Sequence, residues 1–333
     1  MTIPLSILDL APIAPGQTIR ESFAASVALA QTAEKNGYTR VWYAEHHNMP
    51  TIASSATAIL VGHVAAQTES IRLGSGGVML PNHSPLVIAE QFGTLAEMYP
   101  GRIDLGLGRA PGSDQTTARA MRRDPRASDQ FPQDVMELQA YLRGESIVAG
   151  VQAVPGAGTN VPLYILGSSL FGAQLAAALG LPYAFASHFA PDSLFEAVAT
   201  YRRDFTPSEQ LEKPHVLVAA NVVAADDAAD ATQQFETMRR SRVRSMISRG
   251  PATPDYTDDQ IDNFIATTAQ GQQLANMMRY SAVGTGADVR AFLEDLAATT
   301  KADELILGHA SRDIADRLRS VELTAGAMNG ALV

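Results

Sequence analysis

The chain has 333 residues, of which 46% are hydrophobic, and a formal net charge of −10 at pH 7. This length can bury a large core, and an acidic surface repels nucleic acid and anionic lipid, so we expect neither as a partner. The chain contains no cysteine, which excludes disulfides and thiolate sites, and it shows neither a bilayer-length apolar run nor a signal-peptide layout, so we expect a cytoplasmic protein without membrane contact.

Short apolar runs alternate with helical runs along the chain. The apolar runs predict eight strands, at residues 4–10, 40–44, 71–80, 103–108, 163–167, 183–187, 215–224 and 304–307. Helical patterns are predicted at residues 18–36, 54–67, 84–98, 133–142, 171–179, 192–205, 226–243, 287–298 and 313–327. Ser54 or Ser55 is expected to cap the second of these helices.

This alternation predicts parallel strands joined by helical crossovers, and eight such units can close into a (β/α)8 TIM barrel. The competing open sheet usually carries a Gly-x-Gly-x-x-Gly turn after its first strand, and Ala11-Pro12 is not such a turn. We therefore predict an α/β fold of one domain, residues 1–333. Two long connections, about 110–132 and 246–283, are predicted as insertions at the carboxyl-terminal face, where loops bind substrates.

The second strand ends in Glu45-His46-His47. The carboxyl ends of barrel strands carry the active site, and neighbouring side chains alternate in direction, so one of the two histidines should face the mouth. A carboxylate beside an imidazole can orient it and raise its pKa, and such a histidine is a general base or acid. A structural histidine pair is the competing interpretation.

The third strand contains Gly76-Gly77, and glycine weakens a strand. One interpretation is that a flat ligand lies close to the backbone at this point. The other is a bulge where the barrel packs tightly. The sequence alone leaves both open.

Arg109 ends the fourth strand, and Ser168-Ser169 follows the fifth strand at the start of a helix. A guanidinium and the free N–H groups of a helix start both bind anions, and the two strands are neighbours in a barrel. The sequence therefore predicts one shared phosphate site. The alternatives are a salt bridge from Arg109 to Asp104, Asp114 or another acid and an ordinary serine cap.

Taken together, these segments resemble the bacterial luciferase-like flavin monooxygenases, over about residues 3–224 and 283–330. The motifs that carry the resemblance are Glu45-His46-His47, the Gly-Arg-x-x-x-Gly-x-Gly-Arg block at residues 101–109, and the stretch that begins at Gly167-Ser168-Ser169. The resemblance implies a barrel that uses reduced FMN as a cosubstrate and dioxygen as the oxidant. Reactive-cysteine chemistry is not expected, because Gly108 stands at the position of the luciferase cysteine.

The resemblance also implies roles for particular residues. His46 matches the catalytic histidine that handles protons during flavin oxidation, and Glu45 is expected to tune it. Gly76-Gly77 falls where members of the family have a cis peptide against the flavin ring. The residues expected to bind the cofactor are Gly76, Gly77, Arg109, Leu166, Gly167, Ser168, Ser169 and Gly172. No metal site is expected.

The leading hypothesis is a monooxygenase that oxidises a small organic substrate. A separate flavin reductase would supply reduced FMN, because the sequence shows no nicotinamide-binding unit. A homodimer is expected through the second and third helices, at residues 56–66 and 88–98. Three alternatives remain: an F420-dependent hydride-transfer oxidoreductase, a non-catalytic flavin-binding protein, and a metal-dependent hydrolase with His46, His83 and His188 as ligands, which lack the i, i+2 spacing of such sites.

Overall fold

The computed structural model describes residues 3–110, 114–124, 126–247 and 256–330. These residues form one nine-stranded parallel sheet. Its strands are β1 (Leu5–Asp9), β2 (Arg40–Tyr43), β3 (Arg72–Met79), β4 (Ile103–Gly108), β5 (Leu163–Gly167), β6 (Tyr183–Phe185), β7 (Val216–Ala224), β8 (Ser281–Gly284) and β9 (Glu304–His309).

Eight of the strands close into a ring. Strands β1 to β7 pair in sequence order, β7 pairs with β9, and β9 returns to β1, where Leu5 lies opposite Leu305. All of these pairings are parallel, as helical crossovers require. The predicted (β/α)8 TIM barrel is therefore confirmed.

The ninth strand, β8, is a correction to the sequence prediction, which left residues 246–283 as an insertion without a strand. It pairs with residues 221–224, the last residues of β7. One edge of β7 pairs with β9. The other edge pairs with β6 at the start of β7 and with β8 at its end. Four residues that end in glycine give too short a pattern to be distinguished from a loop.

Helices surround the barrel, and each predicted helix is present with bounds shifted by at most four residues. They are α1 (Ile19–Lys35), α2 (Thr57–Ala65), α3 (Pro85–Met98), α4 (Gln115–Ala120), α5 (Phe131–Arg143), α6 (Leu170–Leu179), α7 (Leu194–Asp204), α8 (Ala228–Ile247), α9 (Asp258–Thr267), α10 (Ala269–Asn276), α11 (Gly286–Thr300) and α12 (Ile314–Met328). The insertions contain α4, α9 and α10. No helix in the described ranges is long and apolar enough to cross a bilayer.

The predicted serine cap of α2 is wrong. Ala56 is the N-cap residue, and no side chain bonds to the helix start. Ser54 lies too far upstream because its carbonyl accepts a 3.0 Å hydrogen bond from the backbone N–H of His46. This bond ties the start of the α2 segment to the loop after β2, so the tertiary contact determines where the helix begins.

Two apolar layers follow the alternation of side chains along the strands. On β2, Val41 and Tyr43 pack outward against the helices, whereas Trp42 and Ala44 pack inside the barrel. The interior layer includes small residues at the carboxyl ends of strands, among them Ala44 and Ala184. The strands are therefore buried on both faces.

Candidate functional site

The loop after β2 carries the two histidines of the predicted site. Since Trp42 and Ala44 face the interior, the alternation places His46 on the same side. The imidazole Nδ1 of His46 is buried and has no hydrogen-bond partner among the residues that the structure describes. His46 thus brings an unused polar atom to the barrel mouth.

Glu45 is the centre of a hydrogen-bond cluster on the opposite side of the loop. Its carboxylate accepts bonds from Nε2 of His47 at 2.9 Å, from Nε2 of His83 at 2.9 Å and from the backbone N–H of Met79 at 3.0 Å. Burial alone would raise the pKa of Glu45, but these donors and the charge of His83 lower it overall. Glu45 therefore holds His47 and His83, and it does not bond to His46.

The pKa of His46 is lowered from its usual value. Burial has the largest effect, since it disfavours the charged imidazolium, and the charge of His47 acts in the same direction. Glu45 raises the pKa of His46, as the sequence analysis expected, but burial outweighs it. His46 is consequently a neutral imidazole at pH 7 and can accept a proton.

His188 follows β6 on another side of the mouth, and its Nδ1 is also buried without a partner in the described ranges. Burial, the charge of Arg242 and the charge of His46 lower its pKa to about 3. The third histidine of the hydrolase hypothesis, His83, is bound to Glu45. Within the described part of the chain, no three His, Asp or Glu side chains are grouped as metal ligands.

Gly76-Gly77 lies within β3, and its peptide bond is cis. The β3–β4 register shifts between Ser75 and Val78, which is the bulge that the sequence analysis left open. A Cβ on Gly77 would lie 2.6 Å from the carbonyl oxygen of Gly106. Glycine is therefore required at this position by backbone packing.

Gly76 and Gly106 leave the interior of the barrel without side chains on two neighbouring strands. A Cβ on Gly76 would lie 2.7 Å from Cδ1 of Leu8, and one on Gly106 would lie 2.6 Å from Cδ1 of Leu166. Leu166, a predicted cofactor-binding residue, therefore lines the interior beside β4. The missing side chains of these glycines therefore let Leu8 and Leu166 approach the backbone of the neighbouring strands inside the barrel.

Arg109 follows β4 and is exposed. Its guanidinium carbon lies 4.0 Å above the ring centroid of Phe171, in the first turn of α6. The salt-bridge alternatives are wrong, because Asp104 binds Arg40 and Arg72, and Asp114 caps α4. Arg109 has no acidic partner among the described residues, so its hydrogen-bond donors are available beside the start of α6.

Ser169 is the N-cap residue of α6, but its side chain makes no cap hydrogen bond. Its carbonyl accepts a 3.1 Å bond from the hydroxyl of Tyr183. A Cβ on Gly167 would lie 3.6 Å from Cα of Gly172, so the turn that contains Ser168 is compact. The residues predicted to bind phosphate are thus brought together at one helix start, next to Arg109.

The family model described as luciferase-like monooxygenase matches residues 3–322. The chain belongs to the luciferase-like monooxygenase family. Membership supports an oxidoreductase, and parts of the motifs that suggested it, Glu45-His46-His47, Arg109 and Ser168-Ser169, follow the carboxyl ends of β2, β4 and β5.

Several members of the luciferase-like family are similar over nearly the whole chain. A protein of Escherichia coli K12, itself called a luciferase-like monooxygenase, is 51% identical over 97% of this chain and 96% of its own. The N-acetyl-S-alkylcysteine monooxygenase of Bacillus subtilis is 30% identical over 99% of both chains. The solved structure of apo-MsnO8 is 36% identical, with a TM-score of 0.87 over 98% of both chains.

Sequence reasoning did not single out Arg242, which lies on α8 and acts on His188. It also missed the hydroxyls of Ser54 and Thr57, which are buried without a partner in the described ranges. Arg240 and Arg244, on either side of Arg242, pair with acidic residues of α9. The sequence does not show that α9 packs against α8, so it does not distinguish Arg242 from these paired arginines.

Proposed function

We propose that this chain is a flavin-dependent monooxygenase that uses reduced FMN and dioxygen to oxidise a small organic substrate. The observation that carries the proposal is the exposed Arg109 guanidinium, stacked on Phe171 beside a helix start whose Ser169 side chain is uncommitted. Such an arrangement provides a cation and backbone donors for a phosphate. The proposal also rests on membership of the family.

The residues present fit FMN. Arg109, Ser168 and Ser169 would hold the phosphate, and the compact turn between Gly167 and Gly172 gives the phosphate access to the backbone N–H groups of α6. The ring would lie at the barrel mouth, on the carboxyl-terminal side of Gly76-Gly77 and Leu166. Reduced flavin, when bound, supplies the electrons that activate dioxygen.

The side chains around the mouth would control protons and water. His46 is neutral at pH 7 and presents a buried, unpartnered Nδ1, so it would hold or accept a proton beside the ring. Glu45 would act as a positioning residue, because it fixes His47 and His83. The interior apolar side chains exclude water from this proton.

We infer the partners from the same sequence features. A separate reductase would deliver reduced FMN in the cytoplasm. A homodimer would form through α2 and α3, where Ile59 is 76% exposed and Met98 is 60% exposed. Sedimentation of the wild-type protein beside an Ile59→Asp variant tests the dimer: a monomeric wild type contradicts it.

The decisive experiment is a titration with FMN in both redox states, run in parallel with F420. We expect Arg109→Gln to weaken FMN binding by about 10–100-fold, the range of one charge-assisted hydrogen bond. Arg119→Gln, which changes an exposed arginine of α4, is the matched control and should bind as the wild type does. No binding of FMN in either state overturns the proposal, and clearly tighter F420 binding favours hydride transfer.

A further inference from the structure

Met79 ends β3 with its thioether inside the barrel mouth. In the pairing of β3 with β4, Val78 lies opposite Leu107, and Met79 lies opposite Gly108. Val78 and Leu107 pack in the outer apolar layer, so the alternation of side chains directs Met79 and Gly108 inward. A Cβ on Gly108 would lie 2.9 Å from Sδ and 3.6 Å from Cε of Met79. Register and distance therefore place the sulfur over the bare backbone at the carboxyl end of β4.

The groups on either side of the Met79 thioether are those proposed to serve FMN. The backbone N–H of Met79 donates to the Glu45 carboxylate at 3.0 Å, and Glu45 is the residue before His46. Gly108, which the sulfur covers, is the residue before Arg109. The thioether therefore lies between the strand that precedes the proton-handling histidine and the strand that precedes the arginine proposed for the phosphate.

The chemistry of Met79 differs from that of its neighbours at the mouth. A thioether is polarisable, and its sulfur accepts an oxygen atom to give a sulfoxide. The chain contains no cysteine, so methionine supplies its oxidisable sulfur. Met79 is only partly exposed, whereas Met98 on α3 is 60% exposed. An oxidant dissolved in the solvent should therefore attack Met98 first, and an oxidant formed at the mouth should attack Met79 first.

We propose that Met79 is a self-oxidation site, which is converted to methionine sulfoxide when reduced FMN and dioxygen react at the mouth without an organic substrate. The inference rests on the proposed function. As the O–O bond of dioxygen breaks, one oxygen atom forms the S–O bond, and the other leaves as water with the two hydrogens of reduced FMN. The sulfur and the reduced FMN each supply two electrons, which balance the four that dioxygen accepts. Methionine sulfoxide reductases return this product to methionine, so the modification is reversible.

Peptide mass spectrometry tests the proposal, because trypsin cleavage after Arg72 and Arg102 gives one peptide whose only methionines are Met79 and Met98. FMN is photoreduced separately and added to the protein in repeated portions, in the dark, with dioxygen and with catalase to destroy free hydrogen peroxide. We expect Met79 sulfoxide to exceed Met98 sulfoxide by about tenfold or more, because proximity outweighs exposure. Isotope-labelled dioxygen should transfer its label to Met79.

Two controls separate reaction at the mouth from the intrinsic reactivity of the methionines. Hydrogen peroxide, added without FMN or catalase, should oxidise Met98 at least as readily as Met79. Arg109→Gln weakens the proposed phosphate site, so it should lower the yield of Met79 sulfoxide by about tenfold at FMN concentrations below saturation. Arg119→Gln changes an exposed arginine of α4 and should leave the yield unchanged.

Other outcomes overturn the inference. Unmodified Met79 in a protein that binds FMN and oxidises its reduced form contradicts the inference and leaves the proposed function standing. A preference for Met79 in hydrogen peroxide alone, or a sulfoxide without the isotope label, also contradicts it, because the oxygen would then not come from a reaction at the mouth. A protein that binds FMN in neither redox state overturns the proposed function, and this inference with it.

Discussion

Glu45 and His46 are adjacent in the sequence, yet their environments set opposite chemical roles. Glu45 is 2% exposed and keeps its charge because His47, His83 and a backbone N–H donate to it. His46 is buried without such partners, so burial lowers its pKa and favours the neutral ring. Proximity along the chain would have suggested a Glu45–His46 pair, but the alternation of side chains separates them.

Glu45→Gln should destabilise the protein in a pH-dependent way. The folded-state pKa of Glu45 lies below its unfolded value, so its contribution is present above pH 4.5 and is lost as the pH falls through the folded value. We expect the free energy of unfolding at pH 7 to fall by about 2 kcal/mol, as for buried hydrogen bonds to a charge. Urea unfolding at pH 7 and at acidic pH measures this.

The control for this measurement is Glu97→Gln, which changes an exposed carboxyl on α3 and should have little effect. The wild-type protein should lose more stability on acidification than the Glu45→Gln variant does. An equal loss in both would show that the Glu45 carboxylate is not the titrating group.

His46→Gln should slow the oxidation of protein-bound reduced FMN by about 10²–10⁴-fold, the range of general acid–base catalysis, without weakening FMN binding. The wild-type rate should be level around pH 7 and should decline as His46 becomes protonated, below the usual histidine pKa. Stopped-flow recording of the return of oxidised-flavin absorbance measures both. An unchanged rate in the variant would favour the non-catalytic flavin-binding alternative.

At the scale of elements, helix α3 shows how closely the shell of the barrel packs. A Cβ on Gly93 would lie 2.1 Å from Cα of Gly156, so the helix touches the backbone of the segment that precedes β5. Such a contact leaves no flexible atom to move aside. The sequence pattern of α3 predicts its apolar face but not this backbone contact.

Gly93→Ala should therefore lower the free energy of unfolding by about 3 kcal/mol, at the upper end for overpacking. Gly62→Ala on α2 is the matched control, because its Cβ would meet only Cδ2 of Leu95, at 3.1 Å. The gain in helix propensity, about 1 kcal/mol, should offset that contact. Thermal unfolding of the two variants compares them, and equal effects would contradict the packing argument.

The insertion after β7 has an architecture of its own. Val243 of α8, with Ile261 and Ile265 of α9, forms a small apolar cluster apart from the main core. The sequence predicted an insertion here, but not the helices α9 and α10 or the strand β8. Those features depend on contacts with α8 and β7, which are distant in sequence.

At the scale of the whole molecule, a charged cluster closes the amino-terminal end of the barrel. Arg40 of β2 bonds to Asp104 of β4 at 2.7 Å, to Glu304 of β9 at 2.9 Å and to the hydroxyl of Tyr164 of β5 at 2.7 Å. Ser6 of β1 also donates to Glu304. One guanidinium therefore links strands from all sides of the ring.

Arg40→Met should lower the free energy of unfolding by about 3–5 kcal/mol, because it removes the guanidinium that two buried carboxylates share and leaves Asp104 with Arg72 and Glu304 with His215 and Ser6. Arg126→Met breaks an exposed pair with Asp124 and should cost under about 1 kcal/mol. Denaturant unfolding of both variants provides the comparison. Similar losses in the two would show that the cluster does not contribute to closure of the barrel.

The sequence by itself determined the barrel, the helices outside the two insertions and the positions of His46, Arg109 and Ser169 at strand or helix ends. Those features follow from alternation and local propensity, which depend on residues close together in the chain. Only the tertiary structure decided that Glu45 holds His83, that Arg109 stacks on Phe171 with no acidic partner in the described ranges, and that the charge of Arg242 lowers the pKa of His188. Each of these depends on burial and on contacts between distant segments, which set charge states and hydrogen-bond partners and which periodicity does not encode.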